Sequence, residues 1–363
     1  MKLLCIQPGA SYATGDVASG YVRAIRALGH EAIVYALDAR IDLANEFYHW
    51  VYRREGHGPV PQSLVLQHAA AHIVPQALYH EVDGVLVFSG MSLHPDVFIL
   101  LKRAGIPTAL VLSESPYDDM YQARVLARRD RGVPVVDIAF TNERASLPRL
   151  RHCLPETHYL GHAYHPEVSR PDGARDTPCD VLFLGTLFEE RMELLAGVDW
   201  DGIDLALYGQ LKLLPSRHRL RRYIRGEIVA NDDAQSLYRA AKIVLNPYRT
   251  SRGFGRGVAH IDHAESLNPR SLELAACGVF HTSEYREEVG EVFGDLVPTY
   301  SDSESLEWLI RYYLSAQGEG ARREMAQALP GAVTGHTYAA RAAELMERIA
   351  ASWSSRRGNA LSA

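Results

Sequence analysis

The sequence predicts an α/β protein made of two Rossmann-like, doubly wound domains facing a cleft. Three observations carry this reading. Short apolar runs end in Gly or Pro and lead into amphipathic stretches, the repeated pattern of strand, loop and helix. That alternation stops at 165–178, "HPEVSRPDGARDTP", which is rich in Pro, Gly and charge, and then restarts. A length of 363 residues with 47% hydrophobic side chains is enough to fill two ordinary cores.

The elements follow in order. "KLLCIQPG" reads as a buried parallel strand. "SGYVRAIRALGHE" reads as a helix with Tyr21, Ile25 and Leu28 on one face and Gly29 as its cap. "EAIVYAL" completes a βαβ unit. Residues 43–80 are helical in pattern, interrupted at "GHGPVP". The segment 83–90 is a strand, and "HPDVFILLKRAG" a helix with Pro95 near its first turn. "IPTALVLSES" and "VVDIAFTNE" are further strands. After the linker, strands are expected at 179–186, 203–209, 240–248 and 278–284, with a helix opening at "NPRSLELAACG". Helices at 303–317 and 336–353 close the chain, and the tail "SSRRGNALSA" reads as disordered. The predicted domains are 1–168 and 169–336, with a final helix, 337–355, packing back onto the first.

Charge and cysteine usage exclude several classes. The net charge is −6, and neither half has the basic excess of a protein that binds the phosphate backbone, so unmodified duplex DNA should bind weakly and without specificity. The four cysteines form no C-x-x-C pair, the usage of a reduced intracellular protein. "MKLLCIQPGA" is too short in its apolar part for a signal peptide, and no apolar run reaches the ~20 residues of a membrane span. The expectation is a cytoplasmic protein.

The stretch "AESLNPRSLELAACG", 264–278, carries the most chemistry. Pro269 can start a helix, and Asn268 suits its N-cap. In a doubly wound domain such a helix end faces the crevice beyond the strand carboxyl ends, where ligands bind. Free N–H groups there suit a diphosphate, Arg270 adds a charge-assisted donor, and Ser271 is a further candidate of the donor site. Glu273, one turn in, either takes the two hydroxyls of a ribose or complements the helix dipole.

This stretch resembles the donor-binding motif of glycosyltransferases with the two-domain GT-B fold. Glu265 and Glu273 stand eight apart, as two glutamates do in the retaining branch of that fold. The sequence is most similar to the spore-maturation (CgeB-like) glycosyltransferases, whose Asn-x-Arg-x-Phe-Glu through Ala-Cys-Gly is matched by "NPRSLELAACG", with Leu272 for the aromatic. "LVLSESPY", "DIAFTNE", "YLGHAYHPE", "DVLFLGTLFEER", "LYRAAKIVLNPY" and "EEVGEVFGD" agree in order. The resemblance implies an N-terminal acceptor domain and a C-terminal donor domain for a nucleotide-diphosphate sugar, with no cofactor or metal required. It implies that Gly185 and Thr186 lie along the donor diphosphate with Arg191 near it, though Arg191 also reads as a helix-surface ion pair. It gives the "RGEIVANDD" loop backbone contacts to the nucleobase. Lys242 is a phosphate ligand or a snorkelling lysine. Arg252 and Arg256, in the Gly- and Arg-rich loop before the motif, reach a diphosphate or an acidic acceptor, or simply lie in solvent.

On the acceptor side, "QPGASYATGDVASG" is a glycine loop before a helix, without the G-x-G-x-x-G of a dinucleotide site. Asp16 and Ser19 are its cleft candidates, Glu114, in "SESPY" just after a strand, is another, and Glu265, Glu114 and Asp16 are the candidate catalytic acids. His158, His162 and His165 invite a metal, but Gly161 and Pro166 oppose the helix that would align them. His260 and His263 are better placed, near the donor motif. The basic run 212–226 reads as a solvated helix face or as a surface for an anionic acceptor. The acceptor stays open: a small molecule, a glycan, a protein or a modified nucleobase. Two other readings stay open as well, a nucleotide-sugar epimerase and a non-catalytic nucleotide-sugar-binding protein.

Overall fold

The computed structural model describes residues 1–9, 12–112, 129–130, 132–168, 178–210, 212–227, 231–250 and 263–360. In the first part of the chain, strands form where β-branched and leucine side chains run without interruption. They are β1 (Lys2–Ile6), β2 (Glu31–Tyr35), β3 (Gly84–Phe88), β4 (Thr108–Leu112), β7 (Ile138–Thr141) and β8 (Thr157–Tyr159). A two-residue hairpin, β5 (Arg129–Asp130) with β6 (Val133–Pro134), stands apart. The six strands pair in parallel in the order β2-β1-β3-β4-β7-β8. The chain reverses direction across the sheet after β2, as in a doubly wound fold.

Both faces of this sheet are covered, which is why its strands read as continuous apolar runs rather than alternating ones. On one face, Leu4, Ile6, Val85, Val87 and Leu110 pack with Phe98 and Leu101 of α5 (Asp96–Arg103). The helices α2 (Leu37–Glu55), α3 (Gln62–Ala70) and α4 (Ile73–Tyr79) add Leu37, Ala69 and Ile73 to that side. On the other face, Leu3, Cys5, Leu86 and Phe88 meet Tyr21 and Ile25 of α1 (Tyr12–Ala27). α6 (Leu147–Cys153) precedes β8.

The second parallel sheet has the order β11-β10-β9-β12-β13-β14. Its strands are β9 (Cys179–Leu184), β10 (Leu205–Tyr208), β11 (Ile224–Gly226), β12 (Ala241–Asn246), β13 (His281–Glu284) and β14 (Thr299–Tyr300). Around it lie α7 (Glu189–Gly197), α8 (Asn231–Ala240), α9 (Pro269–Ala276), α10 (Glu287–Phe293), α11 (Ser303–Leu314) and α12 (Gly318–Ala332). The last helix, α13 (Tyr338–Ala360), places Ala342, Leu345, Met346, Ile349 and Trp353 in the core of the first sheet. The chain thus forms one unit from Met1–Gly161 with Tyr338–Ala363, and another from His162–Thr337.

The expected fold class, two doubly wound parallel-sheet domains, is the one observed. Three local expectations fail. Leu28 lies beyond the last turn of α1 and is exposed, so only Tyr21 and Ile25 of the predicted face are buried. The basic run 212–226 is not a helix. It is a short 3-10 turn, Arg219–Tyr223, and the edge strand β11, because its arginines bond loop carbonyls: Arg221 donates to Pro215 O at 2.7 Å and to Leu214 O at 2.8 Å. The tail 354–360 continues α13, and α12 stands where the sequence, broken by glycines and Pro330, gave no clear period. Among the described residues no helix is long and apolar enough to cross a membrane. The four cysteines are free thiols, and burial pushes Cys5 up to about 12 and Cys179 up to about 11.

Candidate donor site in the second unit

The site is built at the carboxyl end of the second sheet, beginning from Asn246, the last residue of β12. Its side chain is fully buried, so its amide must be satisfied by protein. Asn268 Nδ2 donates to Asn246 Oδ1 at 2.9 Å, and Asn246 Nδ2 donates to Ser271 Oγ at 2.8 Å. Asn268 is also the N-cap of α9: its Oδ1 accepts from Ser271 N at 2.9 Å. Tyr248 OH lies 3.1 Å from Ser271 Oγ. This network bolts the start of α9 to the end of β12. The sequence predicted Asn268 as the cap, and it is. The Ser271 side chain is buried in the same network, so it supports the helix end from behind.

Arg270, on the first turn of α9, reaches across to β9. Its Nε donates to Tyr238 OH at 3.3 Å. Its two terminal nitrogens lie 3.3 and 3.4 Å from the point where a Cβ on Gly185 would stand. Gly185 therefore leaves the room the guanidinium occupies. The neighbouring Gly209 has φ +121°, and a Cβ there would lie 2.2 Å from the Gly185 carbonyl oxygen. Two strand ends thus approach through bare backbone, joined by Gly185 N donating to Tyr208 O at 2.9 Å.

Arg191 comes to the same turn from α7. It is buried, its Nη1 donates to Thr186 O at 3.0 Å, and its guanidinium lies over the rings of Phe188 and Phe183 at 5.4 and 5.9 Å. Its buried Nε has no acceptor among the described residues. Burial first, and the charge of Arg270 second, push its pKa down to about 9, while Glu190 opposes the shift. Arg249 joins from the segment after β12, stacked on Phe188 at 4.7 Å. Three guanidiniums thus gather around the Gly185–Thr186 turn and a helix N-terminus. Three guanidiniums beside the carboxylate of Glu190, with one buried donor unmet, have the chemistry to accept an anion. The alternative of a surface ion pair for Arg191 does not fit its burial.

Glu273, half-buried on α9, lies close enough to Tyr238 that its charge raises that phenol, behind the larger effects of burial and the opposing Arg270. Glu265 sits in the extended lead-in to α9. That lead-in is clamped: Leu267 N donates to Glu288 Oε2 at 2.6 Å, Arg286 Nη1 donates to Ala264 O at 2.6 Å, and Glu288 N donates to Glu265 O at 3.1 Å. The Glu265 carboxylate stands 3.1 Å from His263 Nε2. Among the described residues, His263, Glu265 and Glu287 bring ligand-type atoms within 4.8 Å of one another, and His158, His162 and His165 form no such group.

Other expected residues fall elsewhere. Lys242 occupies the start of β12, at the opposite end of the strand from Asn246, and pairs with Asp180 at 2.8 Å. The strand carries it away from the arginine cluster, which corrects its reading as a phosphate ligand. Asp16 is exposed on α1 of the first unit. Glu114, Arg252, Arg256 and His260 lie outside the described residues. Tyr238, Arg249 and Gly209 were not anticipated. Arg249 follows directly on "NPY" at a strand end, the signal that marks it in retrospect.

Residues 187–347 match a protein family described as glycosyl transferase-like. No curated protein matches the chain. Among solved structures, the sucrose-phosphate synthase of Thermosynechococcus elongatus is similar over 98% of this chain and 100% of its own, at 10% identity and a TM-score of 0.68. An alpha,alpha-trehalose-phosphate synthase (UDP-forming) from Burkholderia xenovorans, in complex with glucose-6-phosphate, is similar over 96% and 99%, at 10% identity and a TM-score of 0.60. The S. aureus MnaA–UDP structure is similar over 96% of each chain, at 13% identity and a TM-score of 0.52. At these identities the likeness is one of fold. The chain has the two-domain fold of these structures, and its residues 187–347 match a glycosyl transferase-like family model.

Proposed function

We propose that the protein moves a sugar from a nucleotide-diphosphate sugar to an acceptor, with retention at the anomeric carbon and without a metal. The observation that carries this is the gathering of Arg191, Arg249 and Arg270 at the Gly185–Thr186 turn, with a buried guanidinium N–H unmet. These groups would hold the diphosphate and stabilise the charge that builds on it as the glycosidic bond breaks. That is the task a metal would otherwise perform. Glu273 would accept the ribose hydroxyls. Glu265 would face the transferred sugar, bonding its hydroxyls and stabilising positive charge at the anomeric carbon. The leaving phosphate would then help deprotonate the acceptor on the same face. The motif 268–278 supports a CgeB-like specificity within this class.

The test is turnover of a panel of nucleotide sugars with NMR analysis of the product. An α-linked donor should give an α-linked product, and EDTA should leave the rate unchanged. A β-linked product overturns retention and promotes Glu114 or Asp16 to catalytic base. Loss of activity with EDTA would assign His263, Glu265 and Glu287 to a metal. A second reading, epimerisation of the nucleotide sugar, is supported by the fold shared with a putative UDP-N-acetylglucosamine 2-epimerase from Listeria monocytogenes, at 12% identity and a TM-score of 0.58. Conversion of donor alone into an isomeric nucleotide sugar would establish it.

A further inference from the structure

We propose that α2 (Leu37–Glu55) is a self-association surface, packing antiparallel against α2 of a second copy of this chain. Leu43, Phe47 and Trp50 stand four and three residues apart, so they form one stripe along the helix. All three face solvent, at 68%, 48% and 59% exposure, while Leu37 and Ala44 on the other side are buried. Arg54 continues the stripe, its guanidinium 5.4 Å from the centre of the Trp50 ring. Three large apolar side chains in line on one exposed helix face are the geometry of a helix-pair seam.

Charge selects the occupant. Asp42, Glu46 and Arg53 are exposed and, at 100° per residue, lie along the same flank of the stripe. In an antiparallel pair related by a two-fold axis at the midpoint of the stripe, between Phe47 and Trp50, each flank meets the same flank of the other copy. Asp42 and Glu46 of one chain then stand opposite Arg53 of the other, twice per interface. An anionic membrane is the poorer fit, because the helix carries four acids, Asp38, Asp42, Glu46 and Glu55, against three arginines, Arg40, Arg53 and Arg54. A seam of this length is small beside a standard interface, so the association is concentration-dependent.

The test is sedimentation velocity of the full chain over a concentration series. The wild type should pass from monomer to dimer. Trp50→Glu and Leu43→Glu, both at exposed positions, should each raise the dissociation constant at least about tenfold, the effect of a charge set into an apolar seam. Asp42→Arg and Arg53→Asp should each weaken the dimer, and the double variant carrying both should restore it. A protein that stays monomeric at its highest soluble concentration overturns the proposal. So does a dimer indifferent to both glutamate variants, or a double variant that fails to recover.

Discussion

At the scale of single residues, the candidate site separates groups that shape it from groups that would touch a ligand. Asn246, Asn268 and Ser271 are saturated by one another, so their work is to fix α9 on β12. Arg191, Arg270 and Glu273 are the residues proposed to meet a ligand. Glu273→Ala should weaken binding of a nucleoside diphosphate by about 1–3 kcal/mol, the scale of hydrogen bonds to a charged group. Calorimetry on a variant with wild-type circular dichroism measures this, and unchanged affinity would remove the ribose role. Glu265→Gln keeps the shape and hydrogen-bonding reach of the side chain but removes its charge. It should therefore depress kcat far more than donor affinity. Equal losses in both would make Glu265 a ground-state binding group. The residue scale is also where the sequence was least readable. Arg270 and Glu273 announce themselves within one motif, but Tyr238 and Arg249 enter the site from other strand ends, through pairings no local pattern encodes.

At the scale of elements, the close approach of β9 and β10 is the most constrained feature. Gly209→Ala would press a methyl group onto the Gly185 carbonyl at a φ that other residues rarely adopt. Steric overlap and backbone strain together should cost about 2–4 kcal/mol. They should also shift the Gly185–Thr186 turn, so urea denaturation and diphosphate binding should change together. Binding that survives intact in the variant would detach the turn from the site. The elements themselves were largely legible. Nearly every long strand was visible because burial on both faces demands an unbroken apolar run, and α9 because Asn268-Pro269 is a strong start signal. The edge strands β8, β11 and β14, two or three residues long, were not, since pairing at a sheet edge needs little sequence of its own. The basic run 212–226 misled for a related reason: arginine density says nothing about backbone shape when the guanidiniums cap loop carbonyls.

At the scale of the whole molecule, stability and function can be tested separately. His281 is fully buried on β13. Its Nδ1 lies 3.1 Å from Val279 O, and burial pushes its pKa down from 6.5 to about 4. Between those two values the unfolded chain binds the proton that the folded chain refuses. Stability should therefore fall as pH drops from about 6.5 to about 4, by about 3 kcal/mol, with no further loss from this group below that. Urea denaturation against pH should show this component, and His281→Asn should lack it. For function, the claim that matters most is that the arginine cluster of the second unit holds a diphosphate. The direct measurement is calorimetric titration of nucleoside diphosphates and the matching monophosphates against wild type and Arg270→Ala. A preference for diphosphate over monophosphate that disappears in Arg270→Ala, with the fold intact, is the predicted result. No binding of any nucleoside diphosphate, or a preference that Arg270→Ala leaves unchanged, would contradict it.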